Sequence, residues 1–484
     1  MNDATDHSCG RTRRDFLRDA VFGIHAIAAA DLLLRDGMIQ GAEFAAKGVP
    51  HHPPKAKQVI HIFLGGGLSQ VDSFDYKPAL EKFHGKPMPA SMGKLDAFNG
   101  KIGLLHKSHY PFKQRGKSGL WVSDLFPQLA EIADELTVIR SMVAGTANHI
   151  PGIFQANTGF RQMGFPSMGA WLSYGLGSVN ENLPSFVVLP DARGIPNAAG
   201  GAFNWTSGFL PAKHQGVAFH TKGGAPILDL QPAGGVKPEV QNARLEFLKE
   251  LNTIHLEEQA QTDALTARIH SYELAARMQS AIPEATDFAG EPDHIKKLYG
   301  LDRDECRDTA RNCLTARRLI ERGVRMVQLW TGDGVSWDAH DDVTGTGYKS
   351  HTGEALRVDR PIAGLIRDLS QRGLLESTIV LISSEFGRTP YAQADQGKLN
   401  RGRDHHPQGF SNILIGAGLK KGFAHGETDD VGYAAVVDPV TTYDLHATIL
   451  HLLGIDHERL TYYHNGIQRR LTDVHGHVVK NVLA

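Results

Sequence analysis

Cysteine is scarce in this chain: its 484 residues hold three, Cys9, Cys306 and Cys313. Cys306 and Cys313 stand seven apart in a helix-like stretch, a rise of about 10 Å, too far for a disulfide. No zinc-finger spacing is present, so a metal would have to be held by histidine and carboxylate. Net charge is also scarce, 51 Lys and Arg against 53 Asp and Glu. That balance leaves no broad basic field to attract nucleic acid. A long apolar run is missing as well. The segment Ala20 to Leu34 is too short and too interrupted to span a bilayer as a permanent helix. No internal repeat is found. What the chain does have is hydrophobic residues at 41 %, enough for a large core rather than a disordered chain.

The N-terminus reads as an address. Thr12-Arg13-Arg14-Asp15-Phe16-Leu17-Arg18 matches the bacterial twin-arginine signal pattern, with the apolar stretch following in order. That route exports folded proteins, so residues 1–47 are expected to be signal and linker. The twin-arginine machinery is then a partner, and the mature chain is expected in the periplasm or outside the cell. Small residues near Ala42 to Ala46 are candidate cleavage positions, and His51-His52-Pro53-Pro54 reads as linker.

The mature chain alternates apolar strands with amphipathic helices. Gln58 to Leu64, Thr137 to Arg140, Phe186 to Leu189, Val324 to Trp330 and Ile379 to Ser383 read as strands. Leu120 to Leu136, Ala310 to Gly323, Ile362 to Leu374 and Thr442 to Ile455 carry helical periodicity. This alternation predicts an α/β fold with a mostly parallel sheet and helices on both faces. Gly194 to Gly235, rich in Gly and Pro, is expected to be an irregular surface excursion. Pro238 to Ile282 predicts two packed helices, with Leu245, Leu248, Leu251, Ile254 and Leu256 on related faces.

Charged residues follow the strand ends, where open α/β sheets place their ligand sites. Asp338 and His340 alternate along an extended segment, so both can face one side as metal ligands; a salt-bridged turn beside Trp337 is the other reading. Glu385 follows a strand so apolar that it must be buried, and it wants a metal or the nearby Arg388. In Arg403-Asp404-His405-His406, one imidazole is expected to point inward. Arg403 could hold a sulfate or phosphate oxygen through its planar fork. His149 could be a ligand or general base, or a hydrogen-bonded core residue. Ser69, Asp72 and Asp75 follow the glycine turn; Ser69 could be a nucleophile but reads better as a helix cap.

Seven ordered motifs carry a resemblance. They are GGGLSQVDSFDYKP (Gly65 to Pro78), ANHIPGIFQANTG (Ala147 to Gly159), RRLIERGVRMVQLW (Arg317 to Trp330), WDAH (Trp337 to His340), SSEFGRTP (Ser383 to Pro390), GRDHHP (Gly402 to Pro407) and TTYDLHATILHLLGID (Thr441 to Asp456). Together they resemble the DUF1501 family of secreted bacterial proteins, grouped with the alkaline phosphatase and sulfatase superfamily. The resemblance implies an alkaline phosphatase-like (sulfatase-like) three-layer sandwich over residues 55–478, with a helical insert at about 238–300. Gly66-Gly67 stands where sulfatases place paired Asp ligands, and His149 where they place the nucleophile. Glu385-Phe386 is similar to the later Asp-His or Asp-Asn pair, His405 or His406 to the closing imidazole of alkaline phosphatases, and Asp338 with His340 to the Asp-His pair of the first metal.

Residues and resemblance together point to an exported metal-dependent hydrolase of sulfate or phosphate esters. Asp338, His340, Glu385 and His405 or His406 would hold Zn, Mn or Ca. His149, Glu385, Arg388 and Arg403 would serve catalysis, and a sulfated or phosphorylated glycan would be the anionic substrate. The alternative is a catalytically degenerate envelope binding protein on the same scaffold.

Overall fold

A computed structural model of the chain describes residues 50–89, 102–193, 200–222, 226–227, 236–258, 263–392 and 400–484. The twin-arginine segment and Cys9 lie outside these residues. In chain order the elements that build the site are β1 (Gln58–Leu64), β2 (Leu136–Val143), α1 (His149–Thr158), α2 (Met168–Leu176), β3 (Phe186–Leu189) and β4 (Val217–Ala218). They continue with α3 (Pro238–Glu258), α4 (Asp263–Thr286), α5 (Arg307–Glu321), β5 (Met326–Thr331), α6 (His351–Gln371) and β6 (Thr378–Ser383). Last come β7 (Gly387–Arg388), β8 (His405–His406), β9 (Phe410–Gly416), β10 (Phe423–His425), β11 (Val440–Thr441) and α7 (Thr442–Leu452).

The central sheet runs β10-β2-β9-β6-β1-β5-β3-β4, with β11 also paired to β2. Among the described residues, its ladders are parallel except those of β9, which runs against β2 and β6. Every residue of β1, β5 and β6 is buried, as expected of strands covered on both faces. Side chains alternate between the faces. Ile60, Ile62, Leu64, Val327, Leu329, Val380 and Ile382 join a core with α5 and α6. Val59, Phe63, Met326, Trp330, Ile379 and Leu381 join another with α2 and α7. The result is three layers, helix on sheet on helix, with a mixed, mostly parallel sheet.

Register places the site. Leu64 lies opposite Thr331, and Phe63 opposite both Trp330 and Ser383. The carboxyl ends of β1, β5 and β6 therefore finish level, and the turns after them meet above one edge.

Several expectations change. Leu120 to Leu136 is not one helix: it splits into a strand, Leu120–Ser123, a single turn, Pro127–Ala130, and a 3₁₀ turn, Ala133–Glu135. Pro127 has no amide proton to give an unbroken helix. The described part of Gly194 to Gly235 is not purely a surface excursion, because Trp205 and Phe219 are 3 % and 0 % exposed. The two helices of Pro238 to Ile282 form as α3 and α4, and α4 buries Met278 and Ile282. Yet α3 leaves Phe247, Leu248, Leu251 and Ile254 between 44 and 58 % exposed. No helix among the described residues is long and apolar enough to cross a membrane.

Candidate metal centre

Glycine brings the turns together. After β1, Gly66 has φ +120°, and a Cβ there would lie 2.6 Å from the Trp337 nitrogen. Only glycine fits so close an approach at that φ. Gly65 O accepts from Trp337 N at 3.1 Å, which pins the Trp337–His340 turn over the end of β1. Gly402 lies equally close to the same turn, where a Cβ would meet the carbonyl oxygen of His340 at 1.6 Å. Arg403 N donates to Ala339 O at 3.0 Å. The β7–β8 ladder then sets His405 opposite Arg388 and His406 opposite Gly387.

Four side chains meet at Asp338 Oδ1. His340 Nε2 is 2.8 Å away, His405 Nε2 3.0 Å, His149 Nε2 3.2 Å and Arg388 Nη2 2.7 Å. His340 Nε2 and His405 Nε2 are themselves 3.0 Å apart. The backs of two rings are tethered. His405 Nδ1 donates to Ala147 O at 2.8 Å, and His149 Nδ1 lies 2.6 Å from Glu385 Oε1. A carbonyl oxygen can only accept, so His405 carries its proton on Nδ1. A carboxylate behind His149 sets the same tautomer. In its neutral form, each of these rings thus aims the Nε2 lone pair at a carboxylate oxygen.

The charges follow from this packing. Burial alone would raise Asp338, but His149, His340, His405 and Arg388 outweigh it and hold the carboxyl far below the usual carboxylate range. Burial drops His405 to about 4, against the pull of Asp338. His149 is pushed up: burial lowers it, and Asp338 and Glu385 more than reverse that.

These residues fit a divalent cation. Lone-pair nitrogens around an anionic oxygen repel one another unless something positive lies between them. Their separations also approach the edges, about 3.3 Å, of a tetrahedral shell with bonds near 2.0–2.1 Å. His149 Nε2 and His340 Nδ1 are buried and make no hydrogen bond. Rings fixed from behind by a carboxylate or a carbonyl are the usual support of histidine ligands. His149, Asp338 and His405 offer atoms within 4.8 Å of one another, and so do His340, Asp404 and His405. The two groups share His405. Asp404 is a candidate ligand beyond those the sequence pattern points to, and its place just before the inward histidine is the signal for it.

Other expected site residues are turned elsewhere. His406 follows His405 on a strand and so points to the opposite face, where Nε2 donates to Tyr433 O and the ring lies against Tyr433. Arg403 is buried against Asp72, with Nε 2.6 Å from Oδ2, and it also donates to the carbonyls of Thr389, His106 and Lys107. Its fork has no face for a substrate. Glu385 is turned to the back of His149 rather than toward the shared point, and accepts from Gly66 N and Ser384 Oγ. Arg388 is fully buried and gives its remaining donors to the carbonyls of Gly66, Gly67 and Arg403. Ser69 stands at the N-cap of the 3₁₀ turn Gln70–Asp72 but makes no side-chain cap bond: it is fully buried and donates from Oγ to Asp72 Oδ2 at 2.6 Å. Asp75 pairs with Lys77 and Thr428.

No curated protein matches the chain. Solved structures similar to it include the PsFucS1 sulfatase from Pseudoalteromonas sp., at 12 % identity over 85 % of this chain and 70 % of that one, with a TM-score of 0.34. A protein in the alkaline phosphatase superfamily from Vibrio parahaemolyticus aligns at 11 % identity over 84 % and 68 %, TM-score 0.34. Alkaline phosphatase from the Antarctic bacterium TAB5 aligns at 11 % identity over 82 % and 98 %, TM-score 0.31. The model of the DUF1501 family, described as a protein of unknown function, matches residues 56–483. The match spans the whole layered unit and every residue of the centre, so the chain belongs to the DUF1501 family.

Proposed function

We propose that this chain is a metal-dependent hydrolase of sulfate or phosphate esters, exported by the twin-arginine route and working in the periplasm or outside the cell. The observation that carries the reading is the convergence of three imidazole Nε2 atoms on Asp338 Oδ1, two of them fixed from behind. The export part rests on Thr12 to Arg18 alone.

Asp338, His149, His340 and His405 would hold the cation, with Asp404 beside His340 and His405. Bound there, a divalent ion polarises an ester oxygen and makes water a stronger nucleophile near neutral pH. The protein's own groups prepare the place. Glu385 and Ala147 O hold protons on the far sides of His149 and His405. Arg388 keeps Asp338 ionised. Phe386 packs against His149 and His405, ring centroids 5.0 and 4.9 Å away, and limits water on that side. His340, with its side chain 25 % exposed, lines the open side.

A second reading has its own support. Ser69 is fully buried with its hydroxyl given to Asp72, so the candidate serine nucleophile is not presented to the cluster, and both arginines are committed. A binding protein on this scaffold would need no nucleophile. Metal analysis of protein purified without chelator, followed by an ester-hydrolysis screen with a His340→Ala control, separates the readings. The hydrolase predicts bound Zn, Mn or Ca and turnover lost in the variant. Cation or glycan binding without turnover establishes the binder, and protein free of tightly bound metal overturns the centre itself.

A further inference from the structure

The centre presents buried anionic and lone-pair groups, yet an anionic ester must be met by positive charge. Two arginines stand near, and neither is free to meet it. Arg388 and Arg403 are fully buried, and their donors are given to Asp338, Asp72 and backbone carbonyls. Among the described residues, the other Lys or Arg in ion-pair contact with Asp338 is Lys349, whose Nζ lies 3.0 Å from Oδ2. Its side chain is 43 % exposed, against 8 % for Asp338. It reaches from solvent to the carboxylate.

The backbone of Lys349 is held in an unusual state. Its φ is +59°, in the left-handed region that residues with a Cβ rarely adopt. It directly precedes Ser350, the N-cap of α6, whose Oγ accepts from Gly353 N at 3.3 Å and donates to Gly347 O at 2.5 Å. His351 N donates to Val343 O at 2.9 Å. Those bonds fix the peptide on either side and aim the lysine stem at the cluster. Strain of this kind persists where the surroundings over-determine it, and it gathers at ligand sites.

We propose that Lys349 is an oxyanion-binding arm with two positions. Without a cation in the centre, its ammonium balances Asp338. With a divalent ion held beside Asp338 that balance would no longer need the ammonium, which would turn on its flexible stem toward the open side to receive a sulfate or phosphate group. Lysine suits this better than arginine, because its charge is compact and its four-carbon stem is mobile. The inference rests on the metal reading above and adds to it the residue that meets the anion.

The test is titration calorimetry on the full chain, first chelator-stripped and titrated with Zn²⁺, then Zn²⁺-loaded and titrated with inorganic phosphate and with sulfate. The variant is Lys349→Asn, since asparagine accepts the left-handed backbone and spares the fold. The proposal expects Zn²⁺ affinity equal to or higher than that of the unmodified protein, because a competing positive charge is gone. It expects oxyanion affinity of the loaded protein to fall about tenfold or more, the worth of one charged hydrogen bond. Equal oxyanion affinity in the variant overturns the proposal. So does Zn²⁺ affinity that falls with it, which would make Lys349 a support for Asp338 alone. A parent protein that takes up Zn²⁺ but no oxyanion sinks the arm and leaves the centre standing. A parent that takes up no cation sinks both.

Discussion

At the scale of single residues, adjacent histidines have opposite fates. His405 faces Asp338, while His406 faces Tyr433. His406→Ala should leave cation affinity unchanged and cost about 2–3 kcal/mol of stability, through the vacated space and the orphaned carbonyl. His405→Ala should abolish tight binding while the fold survives; calorimetry and urea melts on the two variants check both. Glu385→Gln tests the supporting role of that carboxylate. It keeps the shape but weakens the hold on His149, so cation affinity should fall about 10- to 100-fold. The contact between Arg403 and Asp72 is different in kind. Both side chains are fully buried, and Arg403→Met would strand a carboxylate at a cost of about 3–5 kcal/mol, read as a lowered urea midpoint without any special loss of cation affinity per folded molecule.

At the scale of elements, the site depends on turns that touch through glycine. Gly402→Ala carries no ligand away. Its new methyl would nonetheless strike the His340 carbonyl and push the β8 hairpin off the Trp337–His340 turn, so cation binding should drop sharply in the same calorimetric assay. Much of this level was readable beforehand. Gln58 to Leu64 and Phe186 to Leu189 form strands with the bounds expected of them. Strands covered on both faces are apolar throughout, and glycine and charge mark their ends. The apolar spacing of Leu120 to Leu136 suits one helix, while Pro127 forbids it and the segment splits. β9 is buried from Phe410 to Ile415, but Ser411 and Asn412 interrupt its apolar run, so no strand signal stands out there. The inward turn of His405 was legible only as a choice between neighbours. Ladder register settles that choice, and register is set by a partner strand, here β7, that sequence alone does not identify. The commitment of Arg403 to Asp72 joins residues 331 positions apart and left no local trace.

At the scale of the whole molecule, buried neutral histidines set the response to acid. Burial pushes His61 and His351 down to about 3 and His406 and His446 to about 4, from an ordinary value of 6.5. Below pH 6.5 the unfolded chain takes up protons that the folded chain refuses until pH 3–4. Stability should therefore decline as pH falls from about 6.5 toward 4, each ring adding up to about 1.4 kcal/mol per pH unit. Urea midpoints at pH 7 and pH 5 test this; equal midpoints would count against it. The four groups that surround Asp338 Oδ1 come from stretches as far apart as His149 and His405. An ion seated among them would act as a rivet through the folded chain. After a protease nicked the loaded protein between those stretches, its fragments should need more urea to part than the same fragments once a chelator had drawn the rivet out.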